Sequence, residues 1–300
     1  MRALFPMSAF IFSIMLLPGA DQLRAQGPSM EEANVLYQAE NWQGTVEAYR
    51  EIAKREPKNA RAQFRLGVAL HRLGKYQQAL DAYENAEQNG VPPAIVGYNV
   101  AASYAALDDR EKAFEWLTTA VKDEFSQVDK LKSDADLASL RDDPRFAELV
   151  HQADVNARPC ELLAEYQQFD FWVGAWDVMS AGQTAGENRI DKLVQGCMLV
   201  ENWTSAGGGT GKSINYFDPG KRKWIQVWMD SGGGLIQVEG ELVDGSMDFR
   251  GTHTYRDGRV EQYRMKFTPL EDGNVRQFIE QSKDDGETWY VWFDGSYSPK

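Results

Sequence analysis

The chain has 300 residues, a formal net charge of −13, 43% hydrophobic residues and 26% charged residues. That length exceeds one small core and suits two domains, and the composition excludes a globally disordered chain. The acidic balance argues against nucleic acid as a partner, because affinity for a phosphate backbone rests mainly on Lys and Arg.

Residues 1–25 read as an export signal. Arg2 supplies the positive end, Leu4 to Leu17 a short apolar run, Pro18-Gly19 a break, and Leu23-Arg24-Ala25 a cut site ahead of Gln26. A retained anchor is the competing reading. It is disfavoured by Pro6 and Ser8 and by a run shorter than the ~20 residues a span needs. The expectation is an exported protein, periplasmic or secreted, with no stable membrane insertion after cleavage. In such a compartment Cys160 and Cys197 are more often paired than free, the alternative being two buried thiols.

The next segment is periodic. Small residues recur at Ala33, Gly67 and Ala101, and again at Thr45, Ala79 and Ala113. Larger ones recur at Tyr49, Tyr83 and Leu117, with Trp42 and Tyr76 between the paired helices. This period of about 34 residues, with Leu66-Gly67 followed by Tyr76, Ala79, Tyr83 and Ala86, resembles the tetratricopeptide repeat. The resemblance covers residues 26–127 and implies three helix pairs. Ser29 and Glu32 read as a capping box, and residues 128–155 as a capping element whose helix starts at Pro144. Repeats of this family commonly present a concave groove to a protein or peptide. The groove-facing positions implied here are Arg61, Phe64, Val68, His71 and Arg72, with Ile95 and Tyr98 from the next repeat. The alternative is a groove packed on the chain's own second half.

After a linker at residues 156–165 the pattern changes. Residues 166–300 read as one β-domain: from Val173 onward, strand-like runs centre on Trp176, Ile190, Leu199, Ile214, Val227, Val238, Phe249, Tyr263, Phe278 and Trp292. Turns fall at pairs such as Asp244-Gly245, Asp257-Gly258 and Asp272-Gly273. Regular short strands with hairpin turns indicate an antiparallel sandwich or barrel. Phe169-Asp170-Phe171-Trp172-x-Gly174-x-Trp176-Asp177-Val178 resembles the opening of a lipocalin-like bacterial domain family of unknown function. The likeness continues through Cys197-x-Leu199-x-Glu201-x-Trp203, Gly211-x-Ser213-x-Asn215 and Trp224-x-Gln226-x-Trp228-x-Asp230. It ends with Arg276-Gln277-x-x-Glu280-x-Ser282. Together the two resemblances imply an α-helical solenoid followed by an up-and-down β-barrel of the lipocalin type. Phe169–Val178 is then the first strand, and Trp176 closes one end against Arg276.

Strand alternation places Glu201 with Trp203 on one face, and Trp224, Gln226, Trp228 and Asp230 on one face. It likewise groups Arg276, Glu280 and Ser282. An ordinary barrel would turn Ile225, Val227 and Met229 inward; we favour the aromatic and polar face inward, since tryptophans with a few polar groups line small-ligand pockets. The expected ligand contacts are Trp176, Glu201, Trp203, Asn215, Gln226, Trp228, Arg276 and Glu280. Gly-rich Ala206–Ser213 loosely follows a phosphate-loop pattern but leads into a strand, so it reads as a hairpin. Ser282-x-Asp284-x-Gly286-x-Thr288-Trp289 reads as a turn-folding device, and His253 as an ordinary strand residue rather than a haem ligand. Neither a catalytic set, a metal cluster nor a cofactor is called for. The leading expectation is a non-enzymatic exported protein whose repeats dock a partner and whose barrel holds a small, partly apolar molecule. The alternatives are a structural protein with a filled barrel, or a hydrolase using Glu201, Asp230 or Glu280.

Overall fold

Residues 27–300 are described by a computed structural model. The expected signal segment, residues 1–25, lies outside them. The chain divides into two compact units, one ending at Asn156 and the other running Ala157–Lys300.

In the first unit, α1 (Met30–Gln38) and α2 (Trp42–Arg55) form one helix pair. α3 (Ala60–Arg72) with α4 (Tyr76–Gln88), and α5 (Pro93–Ala106) with α6 (Arg110–Lys122), form two more. Ser29 opens α1 with a complete capping box to Glu32. The repeating small residues do what their spacing implies. A Cβ built on Gly67 would lie 2.6 Å from the ring of Tyr83, so glycine is what allows that buried aromatic to lie against α3. α7 (Val128–Ser133), a 3-10 turn at Ala135–Leu140 and α8 (Pro144–Ala157) then cap the array. Leu131, Leu137, Leu140 and Phe146 from this cap are buried with Ala101, Ala113 and Leu117 of the third pair. A terminal repeat with a bare apolar face is unstable, and these four side chains cover it.

In the second unit ten strands form a closed antiparallel barrel in sequential order: β1 (Gly174–Ser180), β2 (Gln183–Leu193), β3 (Met198–Ser205), β4 (Thr210–Asp218), β5 (Lys223–Asp230), β6 (Leu235–Val243), β7 (Ser246–Thr254), β8 (Val260–Pro269), β9 (Val275–Ser282) and β10 (Tyr290–Pro299). β1 pairs with β10, setting Val178 opposite Tyr297, and this removes both sheet edges. Each of the ten expected strand centres falls within one of these strands.

Phe169–Val178 is not one strand. Asp170–Trp172 is a 3-10 turn, and β1 begins only at Gly174. Phe169 and Trp172 are fully buried and plug one end of the barrel. Phe169 meets Trp224, Phe249 and Phe267 at ring separations of 5.7, 5.6 and 5.0 Å, and Trp172 stacks on Phe169 at 4.9 Å. A strand would alternate these two rings with Asp170 and Phe171, whereas one tight turn drives both into the barrel. Of the residues read as a linker, all but Asn156 are part of this unit. Pro159–Leu162 (α9) and Ala164–Tyr166 are single helical turns, and Trp224 Nε1 donates to the Glu165 carbonyl at 3.2 Å.

Cys160 and Cys197 form a disulfide that ties α9 to the β2–β3 turn. It closes a loop with a sequence separation of 37. Replacing both cysteines with Ala is expected to lower the stability of the barrel by roughly 3–4 kcal/mol on the chain-entropy account. Urea titration followed by fluorescence measures this, and unchanged stability would mean that the reduced chain already holds the plug in place.

Candidate functional site

The interior of the barrel is built by alternation. In β5, Trp224 and Gln226 are buried while Met229 on the other face is 62% exposed. In β3 and β4, Glu201, Ser213 and Asn215 are buried in the same way. The aromatic and polar face therefore points inward. The cost of burying it is offset by a connected hydrogen-bond set. Asn188 Nδ2 donates to Glu201 Oε1 and Ser213 Oγ donates to Glu201 Oε2, each at 2.7 Å. Asn215 Nδ2 donates to Ser213 Oγ at 2.8 Å, and Gln226 Nε2 donates to Asn215 Oδ1 at 2.7 Å.

Above this set lies a cavity of about 210 Å³. Glu201, Gln226, Tyr263, Gln277 and Tyr297 supply its polar groups. Trp203, Trp228, Trp292 and Phe293 form aromatic walls, completed by Ile236, Met265 and Ile279. Trp203, Trp228 and Trp292 lie toward the strand ends that carry the β3–β4, β5–β6 and β9–β10 turns, away from the Phe169–Trp172 plug. Trp292 is 48% exposed and marks the mouth. Gly211 belongs to the Gly-rich stretch and has a packing role: a Cβ there would lie 2.2 Å from the Trp228 ring. That stretch is the β3–β4 hairpin with its flanking strand ends, as its sequence implies.

Glu201 is the electrostatic centre. Burial raises its pKa from 4.5 to about 7, against the lowering effect of the Ser213 and Asn188 hydrogen bonds. Burial also pushes the hydroxyls of Tyr263 and Tyr297 well above their ordinary range. Tyr297 donates to Gln277 Oε1 at 2.6 Å, whereas the buried Tyr263 hydroxyl has no protein hydrogen-bond partner.

Of the eight expected contacts, Glu201, Trp203, Gln226 and Trp228 line the cavity. Trp176 and Asn215 face inward beneath it. Trp176 Nε1 donates to the Trp172 carbonyl at 2.9 Å, not to any guanidinium. Arg276 and Glu280 are corrections: both lie outside the barrel. Arg276 forms two 2.8 Å hydrogen bonds to Asp294, and Glu280 accepts from Arg264 Nε at 2.6 Å. Charges find partners cheaply at the surface, while neutral Gln277 and Ile279 take the inward positions between them. Asp230 caps the β5–β6 turn by accepting from the amides of Gly232 and Gly234. Glu201 is thus the one carboxylate among the described lining residues. Glu201, Asp230 and Glu280 therefore do not converge as a pair on the cavity.

The alternation that revealed Gln226 and Trp228 would also have revealed Tyr263 with Met265, and Tyr297. Trp292 and Phe293 carried no such signal. A register shift between Val291 and Phe293 brings adjacent residues of β10 to the same cavity. His253 is buried, stacked on Tyr255 with centroids 4.0 Å apart, and its Nδ1 is 2.9 Å from Gln281 Nε2. Asp284 accepts from the Thr288 amide at 2.9 Å and Trp289 Nε1 donates to the Gly286 carbonyl, so this motif folds the β9–β10 turn. Among the described residues, no group of three or more His, Cys, Asp or Glu side chains could hold a metal. No described helix is long and apolar enough to cross a membrane.

The expected groove is partly covered by the cap. Arg61, Arg72 and Ile95 are exposed, and Phe64 and Val68 half-buried. Tyr98, expected to be open, is 1% exposed. Its hydroxyl donates to Asp134, its ring stacks on Phe125 at 4.7 Å, and Lys130 Nζ lies 4.3 Å from its centroid. His71 Nε2 lies 2.9 Å from Asp136 Oδ2, and Nδ1 lies 2.8 Å from Ser103 Oγ. The acidic cap thus takes the surface read as belonging to a partner at Tyr98 and His71.

Residues 30–93 match the tetratricopeptide repeat family. Over 107 residues the chain is 30% identical to a chloroplastic protein of Arabidopsis thaliana, a stretch covering 34% of this chain and 32% of that protein. The chain therefore spans about a third of that relative's length. Among solved structures, MamA from Desulfovibrio magneticus RS-1 is similar with a TM-score of 0.37 and 19% identity, over 43% of this chain and 73% of MamA. The TPR2B domain of yeast Sti1 in its pHsp70 complex gives 0.30 and 21%, over 45% of this chain and 94% of that domain. PcrH in complex with the chaperone binding region of PopD gives 0.32 and 17%, over 49% and 96%.

Proposed function

We propose that this is an exported, non-enzymatic binding protein with two working parts. The tetratricopeptide repeats dock a protein or peptide through the surface around Arg61, Phe64, Val68, Arg72 and Ile95, which the cap leaves accessible. The barrel is of the lipocalin-like type and holds a small, partly apolar molecule. The observation that carries the second statement is the cavity itself. It has aromatic walls, a polar floor and a half-exposed tryptophan at its mouth. Its volume, about 210 Å³, lies below the ~300–1,000 Å³ common for drug-sized ligands, so the occupant is small. A barrel filled by its own side chains would not leave this space.

Native mass spectrometry of the protein from its own source is expected to show a co-purifying organic mass lost on denaturation. Trp228→Ala is expected to weaken binding of that molecule at least tenfold, read by tryptophan quenching, while the circular dichroism of the barrel is retained. Unaltered binding by the folded variant would remove the site from this cavity.

A further inference from the structure

We propose that the barrel cavity selects a small organic cation, an amine or quaternary ammonium, with the Glu201 carboxylate as its counter-ion. This rests on the reading of the cavity as a ligand site and specifies the ligand's charge. A buried carboxylate is normally stabilised by a cation of the protein itself. Glu201 is 5% exposed, and its hydrogen-bond partners are the neutral Asn188 on β2 and Ser213 on β4. The titratable groups that interact with it from the other strands are Tyr263 on β8 and Tyr297 on β10, both held neutral by burial. None of the described lining residues is Lys, Arg or His.

The cations of the strands beside β3 are engaged elsewhere: Arg189 with Asp191, Lys192 with Asp170 and Lys212 with Asn202. Further round the barrel, Arg264 pairs with Glu280 and Arg276 with Asp294. Toward the mouth, Glu261 is met by Arg259 at 3.1 Å, and buried His253 faces Gln281 and Tyr255.

The rest of the lining has the same preference. Trp203, Trp228, Trp292 and Phe293 present aromatic rings, whose faces attract a desolvated cation. The Tyr263 hydroxyl belongs to a residue that is 1% exposed, lines the cavity and lacks a protein partner, so its oxygen is open to an N–H donor. Gln226 donates one amide hydrogen to Asn215, and its carbonyl is an acceptor on the same wall. A carboxylate, a phenol oxygen and an amide carbonyl within an aromatic enclosure offer acceptors to an N–H, and among the described lining residues Glu201 supplies the only formal charge. An anion would meet repulsion there, and a neutral ligand would bring no opposite charge to Glu201, whose hydrogen-bond partners are themselves neutral.

The experiment uses three probes of one shape, benzylamine, benzyl alcohol and benzoate, titrated into the full chain with tryptophan fluorescence as readout. Benzylamine is expected to bind at least tenfold tighter than benzyl alcohol at about pH 8, with benzoate weakest. Its affinity should fall about tenfold per pH unit once Glu201 protonates, below about pH 7, while that of the alcohol stays level. Glu201→Gln should abolish the preference for the amine over the alcohol and the pH dependence of amine binding. The comparison of probes on the wild-type chain holds even if this variant does not fold. Equal or tighter binding of benzyl alcohol or benzoate would overturn the cation assignment and leave the ligand cavity standing. Silence of the folded protein toward all three would overturn both.

Discussion

Replacing Glu201 with Gln is expected to make the barrel more stable above pH 7 and to remove a pH dependence that the wild type shows between about pH 4.5 and 7. Burial raises the folded-state pKa of Glu201 to about 7 from an ordinary value of 4.5. Between these values the folded state holds a proton that the unfolded state has released. Stability therefore falls as pH rises through the window and levels off above it. A shift of that size corresponds to about 3 kcal/mol at most, with solvent relaxation reducing it. Gln keeps an acceptor for Asn188 Nδ2 and does not ionise, so the variant lacks this slope. Asp284 acts oppositely in a separate window. Its hydrogen bonds from Thr288 lower its pKa to about 2, so its contribution is lost only as pH falls below the ordinary carboxylate range. Denaturant titrations of both proteins at pH 5 and pH 8 would decide the matter. Parallel behaviour of the two would mean that Glu201 is solvated in the folded barrel.

Phe169→Ala is the substitution expected to cost most. Its ring is fully buried and touches Phe171, Trp172, Trp224, Phe249 and Phe267. Truncating a buried phenylalanine typically costs about 3–5 kcal/mol, from lost transfer energy and the cavity left behind. The plug is one turn of chain held by two anchors, the Cys160–Cys197 bridge upstream of it and the Lys192–Asp170 ion pair at 2.6 Å within it. It has little room to collapse into the space, which favours the upper part of that range. Loss of near-ultraviolet tryptophan signal together with a lowered midpoint in urea is the expected result. A loss below about 1 kcal/mol would mean that the barrel closes without its plug.

The sequence was most legible where one local pattern meets one structural period. Gly67 and Tyr83 announce a close helix pair because only a missing side chain admits that ring. Gln226 and Trp228 announce an inward face because they alternate with Val227 and Met229 on β5. The same alternation misled at β9. Arg276 and Glu280 share a face, as their spacing implies, but Asp294 and Arg264 draw that face outward. The partners come from β10 and β8, so nothing within β9 itself reveals the choice. Tyr98 departs from its expected exposure for a similar reason: Phe125, Lys130 and Asp134, distant in sequence, cover it.

By itself, then, the sequence determined the helix pairs, the ten strands, the composition of the polar face and the cysteines available for a bridge. Those features depend on periods of a few residues and on side-chain size, which are local. Only the tertiary structure decided that Phe169 and Trp172 plug the barrel end and that Trp292 and Phe293 reach one cavity. It also decided that Glu201 lies buried without a protein cation among its partners. These outcomes depend on which strands meet across a closed barrel and on the free energy of burying charge. A chain read one residue after another contains neither.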